Sequence, residues 1–183
     1  MTAHPDRTDE SGGAVAGSAE HWLLAALDAK DRDAARTRWR TGECVLMPLG
    51  RLFSAVRLPQ ELVLGHIGSQ WDPAAADQIV AQAFDGGPVI CDPCRIARWY
   101  ALVPAATAVW HTDHDDWRAA GVFTLGLGNY ISVPPVDATS YDPRTEAPYW
   151  SMPVTLPGAL CEPGHVDRLI TTTPDRLARA AQS

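Results

Sequence analysis

No stretch of this sequence is apolar for long enough to cross a bilayer. The longest, Ala101 to Trp110, is broken by Pro104 and falls well short of the ~20 residues a transmembrane helix needs. Residues 1–20 lack an apolar core behind a basic start, so they match neither a secretory signal nor a transit peptide. Positive charge is scarce too, with 15 Lys and Arg against 22 Asp and Glu and a formal net charge of −7. That balance opposes the broad phosphate contact on which non-specific nucleic-acid binding depends, so any such contact has to be local. Neither a GxxxxGK[ST] phosphate loop nor a GxSxG nucleophile elbow occurs, and Gly126-Leu127-Gly128 alone carries no phosphate-binding signal. Without an export signal, Cys44, Cys91, Cys94 and Cys161 are reduced thiols or metal ligands and not a disulfide framework. Together these absences give the expectation of a cytoplasmic protein.

What is present suits one globular domain: 183 residues, 46% hydrophobic and 20% charged. Residues 1–19 are rich in Gly, Ala, Asp and Ser with no apolar period, which predicts a flexible arm ahead of a single domain over 20–183. Residues 20–40 are Ala-rich and free of Pro and Gly, with Leu23 and Leu27 one turn apart, which predicts a helix ended by Thr41-Gly42. Cys44 to Leu49 and Leu52 to Leu58, separated by Gly50-Arg51, predict a strand pair. Pro59 to Ile67 and Pro73 to Phe84 open on a proline and close on Gly68 or Gly86, as helices do.

Gly87 to Ile90 and Trp99 to Val103 flank the polar segment CDPCRIAR as a hairpin, and Val122 to Leu125 and Tyr130 to Val133 flank residues 126–129 in the same manner. A last strand over Tyr149 to Val154 precedes helices at Pro163 to Ile170 and Pro174 to Ala181. Strands cluster instead of alternating with helices, so the expected class is α+β, with a mixed or antiparallel sheet and flanking helices.

Several constellations could carry chemistry. Cys91, Cys94, His111 and His114 follow a C-x2-C-x16-H-x2-H pattern close to that of a small zinc site, because a tight turn lets two thiolates converge while a distant histidine pair closes the tetrahedron. The competing reading is a proline turn with two thiols and a polar connection with two histidines. His111, Asp113, His114, Asp115 and Asp116 offer imidazole and carboxylate to zinc or another divalent ion, or form a solvated loop or helix start. Arg32, Arg36 and Arg40 line one helix face, where Asp28, Asp31 and Asp33 make a charge-balanced surface the simpler reading. Of the seven tryptophans, Trp22, Trp39, Trp99 and Trp110 accompany apolar or helical patterns, which points to core packing.

Three stretches in order resemble a known family. They are WRTGECVLMPLG with the following LFSAVRLP, then GGPVI and RWYALVP around the polar turn, then TLGLGNYISVPPVDATSYDPRTEAPYW. This arrangement resembles the bifunctional DNA primase/polymerase N-terminal family, the Prim-Pol branch of the archaeo-eukaryotic primase-like fold, and especially its short actinobacterial members. The last block carries most of the likeness. The family's glycine-rich strand pair, tyrosine-containing strand, Pro-Pro exit and later aromatic pair are matched by Gly126, Gly128, Tyr130, Pro134, Pro135, Tyr149 and Trp150. The similarity covers most of residues 38–170, and it implies a primase/polymerase-like fold and a place in DNA replication or in a mobile element.

Active members of that family hold two divalent ions on an acidic DxD-type strand motif, with a histidine on a neighbouring strand near the nucleotide phosphates. Closely held anions are what position paired cations on the attacking and leaving oxygens. Here Phe53-Ser54-Ala55-Val56-Arg57 has no acid and Trp99 to Val103 has no histidine, so no catalytic residue is assigned. The resulting expectation is a non-catalytic module that binds nucleic acid, a nucleotide, or a replication or regulatory partner. Arg57, Arg95, Arg98 and Asn129 are its expected contacts on the sheet face. Two alternatives stand beside it. One is a divalent-metal-dependent nucleotidyl transferase or hydrolase built on the His111–Asp116 cluster; the other is a protein-interaction module with structural zinc at Cys91, Cys94, His111 and His114.

Overall fold

The computed structural model describes residues 9–68, 70–110 and 115–180. The first part of the chain forms α1 (Asp9–Leu24), a 3-10 turn (Ala29–Asp31), α2 (Arg32–Arg40), β1 (Val45–Pro48), β2 (Phe53–Pro59), α3 (Gln60–Leu64) and α4 (Pro73–Phe84). It continues with β3 (Val89–Asp92), β4 (Arg98–Pro104), α5 (Thr107–Trp110), α6 (Asp115–Ala119), β5 (Phe123–Leu125), β6 (Tyr130–Val133), β7 (Tyr149–Met152) and α7 (Pro163–Ala180). The main sheet has five strands in the order β5-β2-β4-β3-β7, and β1 and β6 form a separate two-stranded ribbon. Every ladder is antiparallel, so the chain is an α+β domain with antiparallel sheets flanked by helices. No described helix is long and apolar enough to cross a membrane.

Side chains alternate across a strand, and here both faces of the central strands are apolar, so the sheet needs a cover on each side. Val56, Leu58, Val89, Trp99, Ala101 and Tyr149 face a layer made by α3, α4, α6 and α7. Phe53, Ala55, Ile90, Leu102 and Trp150 face the other way, against Leu23 and Leu24 of α1, Trp39 of α2, and Met47, Ile131 and Val133 of the ribbon. Two indole N–H groups tie this second layer down: Trp39 donates to the Val133 carbonyl at 3.1 Å and Trp150 to that of Pro135 at 3.0 Å.

The hairpin expected at Trp99 to Val103 forms, with Cys91 opposite Trp99 and Val89 opposite Ala101. So does the helix opened by Pro73, where Asp72 accepts from the Ala75 N–H at 3.2 Å. It ends where Asp85 and Gly86 turn left-handed, at φ 48° and 82°.

Two other expected hairpins are corrected by the structure. β1 pairs with β6 and not with β2, and β2 pairs with β5, so Val45 lies opposite Val133 and Arg57 opposite Phe123. Residues 45–59 and 123–133 therefore run together as one antiparallel ribbon that bends at residues 49–52 and 126–129, each half joining a different sheet. The bend has a local cause. Gly50 sits at φ 90°, where its missing side chain leaves room for the Leu127 backbone, and the Leu49 N–H donates to the Asn129 carbonyl at 2.9 Å. Gly126 lets the opposite strand close on the Ala108 methyl.

The expected helices differ as well. The single helix over 20–40 is two, because Ala25, Ala26 and Leu27 bond three residues back and Arg32 folds its guanidinium onto the Leu27 carbonyl at 3.1 Å, which reverses the chain. α1 also starts at Asp9, inside the segment expected as an arm. The two helices expected after Pro163 are one, running through Pro174. Its buried residues Val166, Leu169 and Thr173 hold the helix on its face up to that proline.

Candidate functional site

Register across β5, β2 and β4 builds the site. Arg57 lies opposite Phe123 on one side and Tyr100 on the other, and one step along β4 Arg98 lies opposite Asp92 of β3. Directly opposed residues project on one side of a sheet, so all five share the face onto which the bent ribbon folds. The apolar row Leu125, Ala55 and Leu102 packs beneath that ribbon. The next rows, carrying Arg57 and then Arg98, emerge at its margin: Arg57 is half-buried, Arg98 is exposed, and Phe123 is 44% exposed.

The result is a recess of 140 Å³ lined by Arg57, Asp92 and Tyr100 below and Tyr130, Ile131 and Ser132 above. The Arg57 guanidinium carbon stands 4.7 Å from the Phe123 ring centroid, a cation–π contact that holds the charge at the surface. Among the described residues no carboxylate lies within ion-pair distance of Arg57 or Arg98. Burial pushes the Tyr100 hydroxyl above its usual pKa and Asp92 reinforces this, while Arg98, which hydrogen-bonds to it, and Arg57 pull the other way. Cys44 sits behind Ser132, and burial with a contribution from Asp92 raises its thiol against the Ser132 hydrogen bond and the Arg38 charge. Both groups therefore stay neutral at pH 7, so Tyr100 is a hydrogen-bonding phenol and Cys44 is no thiolate nucleophile.

Tyr130, 60% exposed, also borders a larger groove of 650 Å³ between the first helices and β1, whose walls carry Asp28, Asp31, Arg38, Arg51, Leu46 and Asn129. Its charges are largely matched on the surface: Arg51 reaches Asp28 at 3.8 Å and Arg38 reaches Glu43 at 3.2 Å. Such exposed pairs contribute little stability, but they leave both of the groove's guanidiniums with a carboxylate partner, whereas among the described residues Arg57 has none within ion-pair distance.

Of the residues expected on the sheet face, the structure brings Arg57 and Arg98 together and sets the other two apart. Arg95 is at the tip of the β3–β4 hairpin, exposed and left-handed at φ 60°. Asn129 lies in the bend, where its amide donates to the Gly126 carbonyl at 3.2 Å. Of the expected zinc ligands, Cys91 is buried in the helix-covered core, its thiol pushed up to about 12 mainly by burial, while Cys94 is exposed on the hairpin loop with its N–H bonded to Asp92 at 3.2 Å. His111, Asp113 and His114 lie outside the described residues. Asp115 and Asp116 are exposed in the first turn of α6, and among the described residues no three His, Cys, Asp or Glu side chains gather as a metal site.

Two of the arginines expected on one face of α2 are engaged locally: Arg32 donates to the Leu27 carbonyl at 3.1 Å, and Arg36 pairs with Asp33 at 2.8 Å and Glu20 at 3.4 Å. Sequence reasoning passed over Asp92, Tyr100, Phe123 and Ser132, and placed Tyr130 only in the block that carries the family resemblance. The available signal was that Arg57 and Tyr100 interrupt otherwise apolar strands at inward-facing positions, but only register shows that they meet. No family model matches this sequence, and no curated protein or solved structure is significantly similar to it.

Proposed function

We propose that this chain acts by binding, and that its ligand is a nucleotide or a short stretch of single-stranded nucleic acid held at the recess between the ribbon and the main sheet. One observation carries the reading: two guanidiniums, Arg57 in the recess and Arg98 beside it, share a sheet face with an exposed aromatic ring, and among the described residues no carboxylate lies within ion-pair distance of either. A half-buried arginine ordinarily has an anion to face. Phosphate oxygens satisfy both guanidiniums through charge-assisted bonds, and a base stacks on Tyr130, whose ring stands 60% exposed at the mouth of the recess.

A chain of net charge −7 suits a ligand with few phosphates, because the attraction is confined to this spot. The order of segments resembling the primase/polymerase-like family supports the same ligand class. Arg57 occupies the strand on which that family carries its acids, so the expected role is retention of a nucleotide-binding face without the paired carboxylates.

The test is titration of a nucleoside triphosphate and of a labelled oligothymidylate at low salt, read by calorimetry and fluorescence anisotropy. Loss of one charge-assisted hydrogen-bonding partner is worth ~1.5–3 kcal/mol, so Arg57→Ala should weaken binding by roughly 10- to 150-fold. Tyr130→Ala should weaken it less and without changing the salt dependence. No binding of either probe, or equal affinity in the parent and Arg57→Ala, would overturn the proposal.

A further inference from the structure

The recess carries one group for which phosphate has no use. Asp92 puts a carboxylate into the lining that also holds Arg57 and Tyr100. Like charges in a small space repel, so this corner of the site faces the uncharged part of a nucleotide. We infer that Asp92 reads the base, and that the recess prefers guanine over the other three bases. The preference rests on the recess being a nucleotide site.

The carboxylate is set in place by the chain around it. Asp92 closes β3, where it is half-buried, and its Oδ1 accepts from the Cys94 N–H at 3.2 Å, a turn that orients the side chain. One such bond leaves lone pairs on both carboxylate oxygens. Arg98, opposite Asp92 in register, hydrogen-bonds with the Tyr100 hydroxyl. A guanidinium only donates, so the phenol oxygen accepts and the Tyr100 proton remains to be given to a ligand. The floor of the recess therefore offers two acceptor oxygens with a hydroxyl donor on the same face.

Guanine alone matches that order of groups. Its pairing edge presents N1–H and the 2-amino group side by side, followed by the O6 acceptor. Two adjacent N–H groups meet the two oxygens of a carboxylate, and O6 falls to the Tyr100 hydroxyl. Adenine and cytosine set a ring-nitrogen lone pair beside their amino group, and uracil sets its one N–H between two carbonyls, so each brings a lone pair toward the carboxylate. The recess, at 140 Å³, lies below the roughly 300–1,000 Å³ of pockets that enclose drug-sized ligands. It takes the base and leaves the phosphates to Arg98 and to the Arg57 charge that Phe123 holds at the surface. Tyr130, exposed at the mouth, stacks on any base and does not discriminate.

Calorimetric titration of GTP, ATP, CTP and UTP at one low salt concentration tests this. A bidentate base contact is worth roughly 5- to 150-fold in affinity, so GTP should bind tighter than each of the others by a factor in that range. Inosine triphosphate, which lacks the 2-amino group, should fall between GTP and ATP, and this comparison needs no substitution. Asp92→Asn keeps an oxygen for the Cys94 N–H but puts an amino group where the second oxygen stood, so it should bring the GTP-to-ATP ratio near one. Arg57→Ala should weaken all four alike and preserve the ratio. Equal binding of the four by the parent, inosine triphosphate as tight as GTP, or an unchanged ratio in Asp92→Asn overturns the base preference and leaves nucleotide binding standing. So does an equal loss for all four in Asp92→Asn, which would put the carboxylate on the sugar. Binding of none of them overturns the nucleotide site and the preference together.

Discussion

Asp77 is the most informative side chain to perturb, because two opposing effects act on it. It projects from α4 onto β7, where it accepts hydrogen bonds from the Tyr149 hydroxyl at 3.1 Å and from the Ser151 hydroxyl. The Tyr149 hydroxyl also hydrogen-bonds with the buried Cys91 thiol. Burial pushes the Asp77 carboxyl above its ordinary pKa, and the Ser151 and Tyr149 donors offset only part of that. The sign follows. A carboxyl raised in the folded state favours folding most when protonated, so its contribution is complete below the unfolded value of ~3.9 and declines as pH rises through the folded value.

Asp77→Asn keeps a carbonyl acceptor for both hydroxyls and removes the charge, so it should gain on the parent as pH rises from 4 to 8. Asp77→Ala leaves two largely buried hydroxyls without their acceptor, at about 1–3 kcal/mol each. That amounts to roughly 2–6 kcal/mol, or a midpoint lower by about 4–24 °C. Urea titrations of the three proteins at several pH values give both quantities. A parent-minus-Asn difference that is flat with pH would show that the hydroxyl donors balance burial, and one that grows in favour of the parent as pH rises would show that they outweigh it; either refutes the reasoning.

Two further outcomes rest on the same core. A Cβ at Gly87 would stand 2.6 Å from Cys161 Sγ and 2.9 Å from Cys161 Cα, so Gly87→Ala should cost about 1–3 kcal/mol in denaturant. Cys161→Ala should rescue it only in part, because the backbone clash remains, and full rescue would contradict the packing described. Burial holds Cys91 and Cys161 at about 12, whereas Cys94 is exposed, so a thiol reagent at pH 8 should label Cys94 fast, half-buried Cys44 slowly, and the other two only after unfolding. Rapid labelling of Cys91 in the native protein would place its thiol outside the core.

How far the sequence went depended on whether a feature was local. Pro73 behind Asp72, and the turn between Val89 and Trp99, are decided within a few residues, and both elements form where expected. The strands around Gly50-Arg51 and around Gly126 were also visible as apolar runs, but which strand each pairs with is a long-range choice. The left-handed Gly50, lying against Leu127, turns what looks like two hairpins into one bent ribbon. Nothing in the local alternation distinguishes those outcomes, since the same residues face inward in both.

That long-range choice also made the site. Had β5 and β6 closed as a hairpin, Phe123 would not stand in register with Arg57, and Tyr130 would not overhang it. Arg57 and Arg98 were legible singly, as basic residues within apolar strands. Their convergence required both the pairing of β2 with β4 and the bend that stops the ribbon short of those rows. The polar rows lie at the margin of the cover because the ribbon's apolar side chains, Met47, Ile131 and Val133, are matched to the apolar rows of the sheet and extend no further. One corner at Gly50 therefore sets both how much of the sheet is buried and which charged residues remain at its edge.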